Sequence, residues 1–278
     1  MCAEDMYDVL TDKTNLTPPI DSRVTADWNV VGFITAVDAV LDTQQLGKGT
    51  RCYYGFVACS KTDPTEYVAV IRGTANMTEW IEDAEFLPVP APARMRGRVE
   101  NGFFSIYASM NYTPVGGTTL MPVIDGIAAT VGRNRVTVLG HSLGSALATY
   151  LALDLALAMP QFGGILRAAM FASPHPGDDV FATFFDSKVA DYQVFNYSRD
   201  LVPHVPEFFD YSALDQAFTF SPDEAQAIIQ DTPGGNHHAI CYAAMLDYQA
   251  ADWKNVPAVD QACAACIEGP NPPNPATP

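Results

Sequence analysis

Basic residues are scarce in this chain: 15 Lys and Arg stand against 32 Asp and Glu, for a formal charge of −17. A surface of that sign repels phosphate backbones and anionic headgroups, which argues against nucleic acid as a partner. Long apolar runs are also missing. The greasiest stretch, Leu151 to Met159, is interrupted by Asp154 and is too short for a membrane-spanning helix, which needs about 20 residues. No integral membrane segment is expected. The start, Met1-Cys2-Ala3-Glu4-Asp5, has neither the basic nor the apolar region of a secretory leader. The expectation is a secreted or extracellular protein from which any leader has been removed, with a cytoplasmic location still open. Six cysteines are few for a chain this long, unlike a small disulfide scaffold. Cys263-x-x-Cys266 has zinc-like or redox-like spacing, yet no second pair with metal spacing accompanies it. It reads as a structural disulfide or inert thiols.

With 278 residues, 48% of them hydrophobic, the chain can fill one large core. A single domain over 1–267 is expected, followed by a loose Pro-rich tail over 268–278, whose prolines cannot continue a helix or donate to a ladder. Four short apolar runs read as buried strands: Tyr67–Ile71, Val136–Leu139, Ala168–Ala172 and Tyr192–Tyr197. Val30–Ala36 and Arg51–Cys59 are further strand candidates, the latter joined to Tyr67 through a turn at Lys61–Pro64. Between the second and third runs, Ser145–Met159 is apolar nearly all round, as a helix buried against a sheet should be. Strands alternating with helices predict an α/β fold with a mostly parallel central sheet, helices on both faces and ligands beyond the carboxyl ends of the strands.

Gly140-His141-Ser142-Leu143-Gly144 fits G-x-S-x-G between an apolar run and that helix. There a sharp strand-to-helix turn lifts the serine hydroxyl clear of the sheet, and small flanking residues make room for strained backbone. Ser142 is the candidate nucleophile. Its hydroxyl needs a general base and the base an orienting carboxylate, which follow the nucleophile in chain order, acid then histidine. Of five histidines, His141 precedes the serine, while His175 and His204 sit in Pro-flanked loops. That leaves His237 and His238, after the Gly-rich Thr232–Asn236. If Asn236 caps the next helix, counting back from Ile240, Ala244 and Tyr248 by threes and fours lands on His237 and turns His238 toward the flank. A cap one residue later exchanges them. Asp200 follows the strand Tyr192–Tyr197 directly and is the candidate acid, with Asp210 as fallback. Asp178 and Asp179 instead begin a predicted helix, where carboxylates favour the dipole.

A tetrahedral intermediate needs donors aimed at its oxyanion. Leu143, directly after the serine, supplies one backbone N–H, and Thr74 in the loop Arg72-Gly73-Thr74 offers an N–H and a hydroxyl. Asn76-Met-Thr-Glu79 then has the form of a capped helix start. Met77, Trp80, Ile81 and Ala84 stand at i, i+3, i+4 and i+7, the apolar face of a helix that is either packed permanently or a lid.

Together these residues resemble the class 3 (filamentous-fungal-type) lipases, over about Tyr67 to Tyr248. Beyond Val70-Ile-Arg-Gly-Thr74 and the serine turn, the segments Glu79–Phe86, Gly102-Phe103, Ala172–Asp178 and Arg199–Pro206 look like family segments in the family's order. The resemblance implies an α/β-hydrolase fold with a short helical lid over Asn76–Asp83. It also implies Ser142 as nucleophile, Asp200 as acid, Thr74 and Leu143 as oxyanion donors, and no metal or cofactor. The family's histidine five residues ahead of a tyrosine, here Tyr242, favours His237. Ser145, Ile71 and Glu100 depart from the family, standing where glycine, phenylalanine and histidine are common.

The expected activity is hydrolysis of acylglycerol esters through an acyl-enzyme, with an ester or lipid substrate met at a lipid–water interface. Alternatives are a phospholipase A1, a soluble-ester or feruloyl esterase and, from another class, a silent binding module on the same fold.

Overall fold

In the computed structural model, which describes residues 1–37, 49–73, 86–159, 164–207, 210–250 and 256–271, the apolar runs become strands of one large sheet. Among the described residues its order is β13 (Ala217–Phe220), β11 (Tyr192–Tyr197), β9 (Leu166–Phe171), β8 (Arg135–His141), β3 (Glu66–Ile71), β2 (Arg51–Ser60), β1 (Trp28–Val37), β6 (Asn111–Pro114) and β7 (Met121–Pro122). The five strands from β13 to β3 pair in parallel. From β3 to β7 the pairing is antiparallel, so the expected parallel character belongs to one half of a mixed sheet. The connection Lys61–Thr65 between β2 and β3 explains part of this, because parallel neighbours need a crossover of about a dozen residues or more.

Side chains alternate across the sheet, and the core divides accordingly. Ile34, Tyr54 and Val57 join the main cluster with the helices α3 (Asn101–Ala108), α4 (Val123–Val131) and α5 (Leu143–Ala158). Their neighbours Phe33, Tyr53 and Phe56 join a second cluster under α1 (Cys2–Asp8) and α2 (Ser22–Asp27). Every residue of α5 from Leu143 to Leu155 is buried. Each fully buried leucine there contributes roughly 1.5–3 kcal/mol of transfer free energy, so α5 is a rigid base for what its amino end carries.

A four-stranded sheet of β4 (Pro88–Pro90), β5 (Arg98–Glu100), β10 (Gly177–Asp178) and β12 (Tyr211–Ser212) lies beside α6 (Asp179–Asp186). Asp178 caps α6 by accepting from the Phe181 N–H at 2.8 Å. The carboxyl-terminal part comprises β14 (Ala227–Ile229), α7 (Pro233–His237), α8 (Ala239–Leu246), α9 (Gln261–Ala264) and β15 (Ile267–Pro270). Here the expected tail boundary needs correction. Gly269 and Pro270 pair antiparallel with Ile228 and Ala227 of β14, after Ile267 opposite Ile229. A proline with no N–H to give is tolerated on the edge of so short a ladder.

Candidate active site

The serine turn is built from close backbone approaches. β8 ends at His141 and α5 begins at Leu143, so Ser142 alone turns the chain, with φ +60° and ψ −132°. That conformation is strained for a non-glycine residue. The positions two residues to either side must be glycine. A Cβ on Gly140 would sit 2.2 Å from the Gly144 carbonyl oxygen, and one on Gly144 would meet the carbonyl oxygens of Ile71 and Arg72 at 2.5 and 2.7 Å. Ser145, standing where the family often has glycine, fits by hydrogen bonding. Its Oγ lies 2.9 Å from the Gly140 oxygen and 2.7 Å from the Phe171 oxygen, and it accepts from the Phe171 N–H at 3.1 Å.

Two further segments converge on this turn. Beyond β11, Asp200 is 1% exposed, and the short helix α7 delivers His237 as its last residue. His237 Nε2 lies 2.9 Å from Ser142 Oγ, and its Nδ1 lies 2.9 and 3.1 Å from the two Asp200 carboxylate oxygens. The carboxylate also accepts from the Val202 N–H at 3.0 Å and the Tyr242 hydroxyl at 2.8 Å. Tyr242 in turn accepts from the Tyr197 N–H at 2.8 Å. Burial, reinforced by the Asp200 charge, holds the Tyr242 phenol well above its usual range and keeps it a donor.

Adjacent His238 is elsewhere. It is the N-cap of α8, with φ −55° and ψ 138°, and its ring folds back until a Cβ on Gly234 would meet Nε2 at 2.9 Å. Burial, with His237 and His141 nearby, pushes its imidazole pKa down. Helix capping here differs from the expected cap at Asn236. Thr232, accepting from the Gly235 N–H at 3.0 Å, caps α7. Asn236 lies inside α7, its amide donating to Asp231 at 2.9 Å. The two histidines belong to different helices.

The family model for class 3 lipases matches residues 68–209, just over half of the chain. The chain belongs to the class 3 lipase family. Among curated relatives, the lipase of Rhizomucor miehei is 32% identical over 154 residues, covering 54% of this chain and 40% of its own length. Secreted mono- and diacylglycerol lipase MDL2 of Malassezia globosa is 30% identical over 156 residues, covering 52% of this chain and 48% of its own. Phospholipase A1-II 6 of Oryza sativa subsp. japonica is 26% identical over 260 residues, covering 78% and 62%. The chain spans about half the length of the first curated relatives it matches. Lipase II from Rhizopus niveus has a solved structure that superposes with a TM-score of 0.52 at 26% identity, over 68% of this chain and 65% of that one. These likenesses identify the α/β-hydrolase fold of fungal lipases.

Leu143 occupies the first position of α5, where backbone N–H groups have no partner inside the helix. Thr74 and the expected lid residues Met77, Trp80, Ile81 and Ala84 lie outside the described residues. Among the described residues no group of three or more His, Cys, Asp or Glu side chains is arranged to hold a metal ion. No helix among them is long and apolar enough to cross a membrane.

Sequence reasoning overlooked two contributors. Tyr242 served only as a spacing mark, although its distance from His237 held a clue to a shared site. His141 was set aside as preceding the serine. Its Nε2 is 2.8 Å from the His237 carbonyl oxygen, with the two rings 4.9 Å apart between centroids.

Proposed function

We propose that the chain hydrolyses carboxylic esters of acylglycerols through Ser142, His237 and Asp200. One observation carries the reading: the unbroken hydrogen-bond path from the buried Asp200 carboxylate through both nitrogens of His237 to Ser142 Oγ, each step 2.9 Å at its shortest. His237 takes the serine proton as the hydroxyl attacks the ester carbonyl. Asp200 fixes the ring so that Nε2 faces the serine, and compensates the imidazolium that forms. The Leu143 N–H, with Thr74, binds the oxyanion. The alcohol leaves on the proton that His237 returns, giving an acyl-serine. Water then takes the alcohol's place, gives its proton to His237 as it attacks the acyl carbonyl, and His237 returns that proton to Ser142 as the fatty acid leaves.

Membership of the class 3 lipase family and the relatives named for lipase activity support acylglycerols as substrates. The secreted relative supports a protein acting outside the cell. The lid over Asn76–Asp83 and its apolar face rest on the sequence alone. A second reading, phospholipase A1 activity on the same residues, is favoured by the rice relative, whose likeness extends over 78% of this chain. Hydrolysis rates on a chain-length series of p-nitrophenyl and glycerol esters, run beside diacyl phospholipids, separate the two. Preference for glycerol esters is expected. Cleavage confined to the sn-1 ester of phospholipids would establish the second reading, and failure on every ester would overturn both.

A further inference from the structure

The first helix of the chain, outside the segment matched to the lipase family, reaches the back of the candidate active site. Glu4 on α1 places a single oxygen, Oε1, 3.1 Å from the Gly73 N–H and 3.1 Å from His141 Nδ1. Gly73 immediately precedes Thr74 in the loop proposed to bind the oxyanion, and His141 immediately precedes Ser142. The other nitrogen of His141 faces the His237 carbonyl at 2.8 Å. One carboxylate thus touches the oxyanion loop and the serine turn directly, and reaches the base through one ring. Tyr7, one turn further along α1, lies over the Arg72 guanidinium with 3.7 Å between Cζ and the ring centroid. Arg72 in turn donates to the Gly73 carbonyl oxygen at 2.8 Å.

We propose that Glu4 is a positioning residue, whose carboxylate sets the mutual placement of the Gly73 backbone, the serine turn and the His237 backbone. The proposal rests on the assignment of Ser142 and His237 made above. A carboxylate suits this place because its charge strengthens both of the contacts that one oxygen makes. Burial opposes the charge, but the Met1 ammonium, His141 and the Gly73 N–H outweigh it and hold the Glu4 carboxyl well below the usual carboxylate range. With Glu4 ionised, both ring nitrogens of His141 face oxygen acceptors. A glutamine oxygen in the same place can accept from both donors, but without the charge that strengthens the two bonds.

The test uses the full chain with Glu4→Ala and Glu4→Gln. For each, kcat and KM on a dissolved short-chain ester are measured per site titrated with a fluorophosphonate, alongside the melting temperature. Loss of charge-assisted hydrogen bonds behind the reacting groups predicts that Glu4→Ala lowers kcat per titrated site about ten- to hundredfold, with KM within about threefold of the parent. Glu4→Gln keeps the shape and part of the bonding, so it should fall between, at about three- to tenfold. A helix that merely packs on the body predicts the opposite pattern, a lower melting temperature with kcat per titrated site unchanged, and that result overturns the proposal. If Glu4→Ala does not fold, Glu4→Gln decides alone, unchanged kcat being the overturning result. Failure of the parent to label on Ser142 would overturn the site assignment and this proposal with it. Normal labelling of the parent with unaffected variants would overturn only the role of Glu4.

Discussion

Replacing Tyr242 with phenylalanine removes one oxygen from the innermost part of the site and leaves the ring in place. That oxygen donates to Asp200 at 2.8 Å and accepts from the Tyr197 N–H at 2.8 Å, with both side chains buried. Its loss leaves a buried backbone donor unpaired, at about 1–3 kcal/mol, and removes a bond to a charged acceptor whose net contribution is about 1.5–3 kcal/mol. The two effects overlap, because the same relaxation eases both. A destabilisation of about 2–4 kcal/mol is expected from urea unfolding followed by circular dichroism. The effect on rate should be smaller. Asp200 keeps the Val202 N–H on one oxygen and His237 across both, so the carboxylate loses a brace and not its orientation. A loss of about 1.4 kcal/mol in transition-state stabilisation corresponds to a tenfold fall in kcat, and the measured fall should not exceed that by much. The assay is hydrolysis of a dissolved short-chain ester, normalised to titrated sites. Two results would refute the reasoning: a variant as stable as the parent, or a kcat loss of several orders of magnitude, which would give Tyr242 a part in the chemistry itself.

Two further predictions concern the base and the carboxyl pair of Asp5 and Asp260. His237→Ala should lower kcat by several orders of magnitude, as removal of a base does, whereas His238→Ala should cost at most about tenfold through its contact with α7; steady-state kinetics of the two variants decide, and the reverse ranking moves the base. Near the carboxyl end, burial and then the Asp5 carboxyl push Asp260 up to about 8. A carboxyl raised in the folded state favours folding most at low pH, so this contribution should fade as pH rises from about 4 through 8. Asp260→Asn should flatten the fall in melting temperature between pH 5 and 8, and an unchanged slope would remove Asp260 as its source.

The serine turn was legible because everything it needs is local: two glycines at fixed offsets, an apolar strand before and a buried helix after. Asp200 was legible for a related reason, since it follows a recognisable strand at the edge where ligands bind. The histidine was harder. His237 was preferred on a single continuous helix capped by Asn236, but Thr232 and His238 cap two helices in succession, and the break between them separates the adjacent rings. Two glycines beside a proline gave little sign that α7 would form, because their helix propensity is low and its support comes from the Thr232 cap. The start of the tail was misplaced because composition speaks of proline and not of a partner strand, and β14 lies about 40 residues upstream of β15. Glu4 and His141 could not be read at all. Their relation spans 137 residues and depends on how α1 settles against the sheet, which no local pattern records.

The central claim, that Ser142 is the nucleophile of an ester hydrolase, is tested most directly by fluorophosphonate labelling of the parent and of Ser142→Ala, with the modified residue located by peptide mass mapping. The parent should take up one label on Ser142 and hydrolyse short-chain esters. Ser142→Ala should melt within about 1–2 °C of the parent, since one hydroxyl adds little to the core, and should show neither label nor hydrolysis. Hydrolysis retained in that variant, or a label on Ser145 or Ser173, would contradict the account.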